Sequence, residues 1–259
     1  MNKWKFTMLL ALLMVFFCSG NIAKADGTEG VDVASVFEEA GRYYVTGEYS
    51  KSIKLYESIL DEGFKSGNLY YNLANAYLRS KNIGRAILNY KRAGEYIPFD
   101  SDLQANYKYA KSLMSQSDLA KKDFWLIQWL NMAVEYVALG YMIKIIYVLY
   151  LLLIIFIVIV YVYKKPGTYS NMVIFVFMAL ILLISIPAKN KAEELERGAI
   201  VTVKIADVRR EPFKESVGYF PLYEGMKITI LRHKGCWYRV MRPDGKIGWT
   251  EEENVTTLN

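Results

Sequence analysis

The residues able to do covalent or metal chemistry are few. The chain has one histidine, His233, and two cysteines, Cys18 and Cys236. A general base, an activated nucleophile or a zinc centre needs such groups in twos and threes. His233 lies between Arg232 and Lys234, in what reads as a solvated hairpin turn. Glu251, Glu252 and Glu253 form a charge run, the pattern of a solvated face. No glycine-rich phosphate loop occurs. Catalysis, a cofactor and a bound metal are therefore not expected. The chemistry on offer is recognition, by aromatic rings, asparagine amides and a few cations. The formal charge is +6, and Lys3, Lys5 and Lys24 supply half of it. The remainder is spread thinly, with no concentrated basic run, so nucleic acid is not an expected partner.

Recognition residues need elements to hold them, and the hydropathy divides the chain. Met1–Lys5 is basic, Phe6–Cys18 is an apolar run of 13 residues, and Ala23-Lys24-Ala25 is a small-residue cleavage pattern. That order predicts a secretory signal over 1–25, cleaved after Ala25, with an uncleaved anchor as the other reading. Both place the following residues outside the cytoplasm. Phe17 is too bulky a neighbour for Cys18 to serve as a lipid acceptor.

Residues 31–117 carry large and small residues at a period near 34. Tyr70, Leu73, Ala74, Tyr77, Ala86, Tyr90, Ala93 and Pro98 fall at fixed spacing. The alanines let helices approach, the tyrosines fill the gaps, and Pro98 ends a helix. This pattern resembles the tetratricopeptide family. A weaker repeat with Ala40, Tyr43, Ser52 and Tyr56 precedes it, turning at Gly47-Glu48-Tyr49. Asp100 or Ser101 caps a further helix to about Ser115, with Leu103, Tyr107, Ala110 and Leu113 as its apolar stripe. Two repeats and a capping helix fall short of the usual minimum for stability, so the stack is expected to lean on a partner or on the rest of the chain. The resemblance implies a groove along the first helices, at Asn68, Tyr71, Asn75, Leu78 and Arg79, flanked by Tyr44 and Tyr109. A partner-binding groove and an ordinary solvated face are the two readings of those positions. Asn72 and Asn75 match part of the family's carboxylate-binding set, but its lysines are absent, so no carboxylate clamp is expected.

Residues 123–140 are apolar and aromatic, with Gln128, Asn131 and Glu135 on one side. This suits an amphipathic helix in the membrane interface, or one packed on the last helix of the stack. Residues 141–163 and 172–188 predict two spans. Neither run, Ile145–Tyr163 or Met172–Ala188, has an acidic group or a central lysine, so the pair reads as an anchor, not a transport path. The loop 164–171 carries Lys164 and Lys165, which places it in the cytoplasm. Both flanking parts then face the opposite side.

Residues 199–259 change to short runs rich in valine, isoleucine and aromatics: Ala199–Ile205, Met226–Leu231, Trp237–Met241 and Lys246–Thr250. Pro243-Asp244-Gly245 is a turn signal. Trp237-Tyr238-Arg239-Val240 and Asp244-Gly245-Lys246-Ile247-Gly248-Trp249 resemble blocks of bacterial SH3 domains, which implies a small β-barrel. Phe213, Tyr219, Phe220, Trp237 and Trp249 are its candidate ligand face, with closure of the barrel core as the second reading for both tryptophans.

The expected protein is thus a multidomain membrane protein: an all-α tetratricopeptide solenoid, two transmembrane helices and an SH3-like barrel. That order of parts resembles the BatE proteins of bacterial aerotolerance operons. The resemblance implies a non-catalytic scaffold in the inner membrane, recruiting membrane and periplasmic proteins, with von Willebrand A-domain siblings among them. A sensor gripping a cell-wall peptide through the SH3-like part is the alternative.

Overall fold

The computed structural model of the protein describes residues 32–114, 137–162 and 167–258. The expected signal segment, and the interfacial helix up to residue 136, lie outside the described residues.

Five short helices come first: α1 Val33–Val45, α2 Tyr49–Asp61, α3 Gly67–Arg79, α4 Ile83–Tyr96 and α5 Ser101–Ser112. Four of the five starts follow from side chains that satisfy first-turn amides. Asp32, Ser66, Asn82 and Asp100 each accept from a backbone N–H two or three residues on. The first connection turns at Gly47, whose φ of +83° suits glycine. The eight spaced residues, Tyr70 to Pro98, are all buried. Alanines 74, 86 and 93 are fully enclosed, so neighbouring helices meet without side chains between them. The stripe on α5 is shorter than expected. Leu103 and Ala110 are buried, but Leu113 is 45% exposed because α5 ends at Ser112.

Two long helices follow, α6 Leu139–Val162 and α7 Thr168–Arg197, both long and apolar enough to cross a membrane. Two boundaries differ from expectation. Leu139 and Gly140 already belong to α6. Thr168–Asn171, expected in the loop, begin α7, because the Ser170 hydroxyl accepts the Gly167 N–H at 2.8 Å. The charged segment after the second apolar run is not a separate stalk. It continues α7 past Pro187 to Arg197, giving 30 residues, about 45 Å.

The remainder is one antiparallel sheet: β1 Gly198–Val201, β2 Ile205–Arg209, β3 Gly218–Tyr223, β4 Lys227–Lys234, β5 Trp237–Met241, β6 Ile247–Glu251 and β7 Val255–Thr257. The order is β3-β2-β6-β5-β4-β1-β7, and the ladder is open. The first expected strand is two, broken at Thr202. Strand β3 escapes the sequence pattern because it contains Pro221, which removes a ladder donor; it is tolerated here because β3 lies on the edge. The inner face gathers Val201, Val208, Leu222, Ile228 and Val240, each at most 1% exposed.

The helical stack does lean on the rest of the chain. Ile200 of β1 and Leu258, just past β7, are buried in the helical core. Arg92 of α4 donates to the carbonyl oxygen of Thr257 at 2.9 Å and to that of Leu258 at 3.3 Å. Glu194 of α7 pairs with Lys91 of α4, and with Lys227 of β4 at 2.6 Å. At the start of α6, the Leu139 N–H donates to Glu95 at 3.0 Å, and Lys191 of α7 reaches the same carboxylate at 3.0 Å.

Candidate functional site

Helices α1, α3 and α5 present one shared face. Asn68, Arg79 and Tyr109 are exposed on it, and Tyr44, Tyr71, Asn75 and Leu78 are half-buried. All seven sequence-selected positions therefore reach solvent on first helices of the stack. At its centre Asn75 accepts from the Tyr90 hydroxyl at 2.5 Å and from the Asn106 amide at 3.2 Å. The same Asn106 nitrogen donates to the Tyr71 hydroxyl at 2.9 Å. Burial, then the nearby phenols of Tyr71 and Tyr44, push the Tyr90 hydroxyl well above the usual tyrosine range, so it stays a protonated donor. Further along, the Tyr44 phenol beside Arg79 raises its guanidinium above the ordinary arginine value, with Tyr49 and Tyr109 adding to the effect. Tyr44 and Tyr49 meet edge to face, ring centres 5.6 Å apart. Sequence reasoning missed Tyr49, Tyr90 and Asn106. Tyr90 was assigned to the core, where it lies, and from there its hydroxyl holds Asn75. Asn106 lies one position from the stripe residue Tyr107, and only the stacking of α5 on α3 brings it to Asn75.

This arrangement offers amides, phenols and one guanidinium, with Asn75 and Asn106 held in fixed orientation by each other and by Tyr90. It can hold an extended polypeptide by hydrogen bonds and ring contacts. It contains no base, nucleophile or metal-ligand set, and among the described residues no three metal-ligating side chains gather.

On the sheet the five candidate aromatics separate. Phe220 is a correction: it points inward, 7% exposed, with the Arg242 guanidinium 4.7 Å above its ring. The reason is strand alternation, since Phe220 and Leu222 share the inner side of β3. Tyr219 is exposed on the other side with Arg210 at 5.2 Å over its ring, and Phe213 is exposed in the β2–β3 connection. Trp237 and Trp249 do not close the core. Their strand neighbours Tyr238, Val240, Gly248 and Thr250 face inward, so both indoles stand on the outer face, half-buried. His233 is in β4, not in the turn, which is Gly235-Cys236. Its ring lies 4.8 Å from that of Tyr238, and its Nε2 is 3.5 Å from Glu252.

A cleft of about 1020 Å³ separates α4, α5 and α7 from the β4–β5 side of the sheet. The Lys91–Glu194–Lys227 cluster lines it. Burial alone would push the Glu194 carboxyl up; the two ammonium groups overcome that and hold it down at about 2.

No protein-family model matches the chain, and no curated protein matches it either.

Proposed function

We propose that this chain is a non-catalytic membrane scaffold, built from a tetratricopeptide-type helical stack and an SH3-like sheet module. Two spans hold both on the periplasmic side of a bacterial inner membrane, where they recruit membrane and periplasmic proteins. The reading follows the resemblance to BatE proteins, which makes von Willebrand A-domain siblings the first partners to seek.

One observation carries it. The sheet docks on α4, the second helix of its hairpin, and leaves the first-helix face with Tyr44, Arg79 and Tyr109 open to solvent. An ordinary solvated face would not need the hydrogen bonds that fix Asn75 and Asn106 there. The docking also ties the groove to the spans through Glu95, Leu139 and Lys191, so a bound partner is held at a fixed distance from the membrane.

Recovery of the full chain in mild detergent tests the reading. Membrane proteins should co-purify, and Arg79→Glu with Tyr109→Ala should release them without loss of the fold. A chain recovered alone under every condition would count against it. A cell-wall ligand for the sheet module is the second reading, favoured by the outward Trp237 and Trp249.

A further inference from the structure

The outer face of the sheet assembles a cluster that is scattered in sequence. Registers across β2, β6, β5 and β4 place Arg209 beside Trp249, Trp249 beside Arg239, and Arg239 beside Arg232. The next row runs Glu251, Trp237, Lys234. Four cations therefore surround two half-exposed indoles, against the carboxylates of Glu251 and of Asp207, which shares the outer side of β2 with Arg209. Arg232, Lys234 and Arg239 are exposed. Arg209 is half-buried, and its guanidinium donates to the Ser216 carbonyl at 3.0 Å, which fixes its charge next to Trp249.

Two details argue that this is a built surface. Arg232 and Arg239 are directly opposed across the strands, an arrangement that destabilises a sheet. Like charges on strands often serve to protect an edge, but β4, β5 and β6 are interior strands, with β3 and β7 at the edges. Secondly, a bulge between Ile230 and Arg232 creates the opposition. In a regular ladder continuing from the Ile230–Val240 pair, Leu231 would face Arg239. Bulges commonly re-aim a side chain in this way.

We propose that this face binds an acidic peptide segment of a partner protein, one in which carboxylates alternate with apolar side chains. Arg239, Arg232 and Lys234 take the carboxylates, and Trp237 and Trp249 take the apolar groups between them. Glu251, next to Trp237, selects against a continuous phosphate backbone, which would bring negative charge to every position. A peptide meets it with a neutral or basic residue. The inference concerns the sheet alone, so it stands or falls apart from the helical groove.

The test is fluorescence anisotropy with the full chain in detergent micelles. The probe is a short fluorescein-labelled peptide of alternating glutamate and leucine. Binding should weaken as salt is raised. Arg239→Glu and Arg232→Glu should each weaken it about tenfold or more, and Trp249→Ala should weaken it as well. Lys54→Glu, an exposed charge reversal on α2, should leave binding unchanged. The arginine variants lie on the surface and relieve a like-charge pair, so they should melt no lower than the parent. The proposal is overturned if the peptide does not bind, or if Lys54→Glu weakens it as much as Arg239→Glu. It is equally overturned if labelled oligothymidylate or purified cell-wall sacculi bind where the peptide does not.

Discussion

Gly84 lies against Val201 so closely that a β-carbon on it would stand 2.4 Å from the Val201 carbonyl oxygen. Gly84 is in the first turn of α4, where backbone N–H groups lack partners within the helix. Its N–H donates to Glu224 of the sheet module at 2.9 Å. One domain thus caps a helix of the other, and a missing side chain lets them meet. Because the obstructing atom is backbone, Gly84→Ala cannot be relieved by a side-chain shift. It should cost about 1–3 kcal/mol, the range for overpacking, and lower the melting temperature followed by circular dichroism. An unchanged melt would mean that the domains are not keyed here.

Glu194 should make stability depend on pH in acid. Its carboxyl is held down at about 2, against an ordinary value of 4.5. The depressed folded-state value stabilises the protein above pH 4.5, and that contribution is lost as pH falls from there through about 2. Glu194→Gln should flatten this part of the stability profile. It should also lower stability at neutral pH, because Lys91 and Lys227 lose their shared partner. Urea titrations at several pH values would read both effects.

Asn75→Ala should destabilise the stack as well as alter the groove. The Tyr90 side chain is 1% exposed, and its hydroxyl would lose its acceptor. Leaving that donor unsatisfied should cost about 1–3 kcal/mol, seen as a lower urea midpoint with an unchanged slope. Asn75→Asp, which keeps an acceptor, should recover most of the loss.

Leu258 tests the dependence of the stack on the sheet module. It is 4% exposed within the helical core, though it stands at the far end of the chain. Leu258→Ala should cost about 2–5 kcal/mol. Limited proteolysis should then cut within α3 to α5 sooner than within the sheet.

The orientation is tested by cysteine labelling. Cys236 is exposed in the β4–β5 turn. A maleimide that cannot cross membranes should label it from the periplasmic side, whereas a cysteine placed at Thr168 should react only after permeabilisation. The opposite pattern would overturn the periplasmic placement.

Much of the architecture was legible in the sequence for physical reasons that act locally. Alanine and tyrosine spacing marks helix contacts, capping residues mark helix starts, and long apolar runs can be accommodated in few ways. The eight core positions, the Gly47 turn and the Asp100 cap were readable because each depends on residues a few places away. Strand β3 was not, since only its edge position excuses Pro221. Nor was the inward turn of Phe220, which register alone decides.

The candidate surfaces divide the same way. The resemblance to tetratricopeptide repeats pointed to the helix face that carries Tyr71, Asn75 and Arg79, and the apolar runs of the sequence determined two apolar helices. The tertiary structure alone decided that Asn106 completes that face while Tyr90 holds Asn75 from the core, that the sheet docks on α4 through Gly84, and that Trp237 and Trp249 stand outside the core. It alone gathered Arg209, Arg232, Lys234 and Arg239 into one patch, although their charges look thinly spread along the chain. Cross-strand neighbours are set by hydrogen-bond register, and one bulge moves the register by a residue; no local property of the sequence encodes that shift.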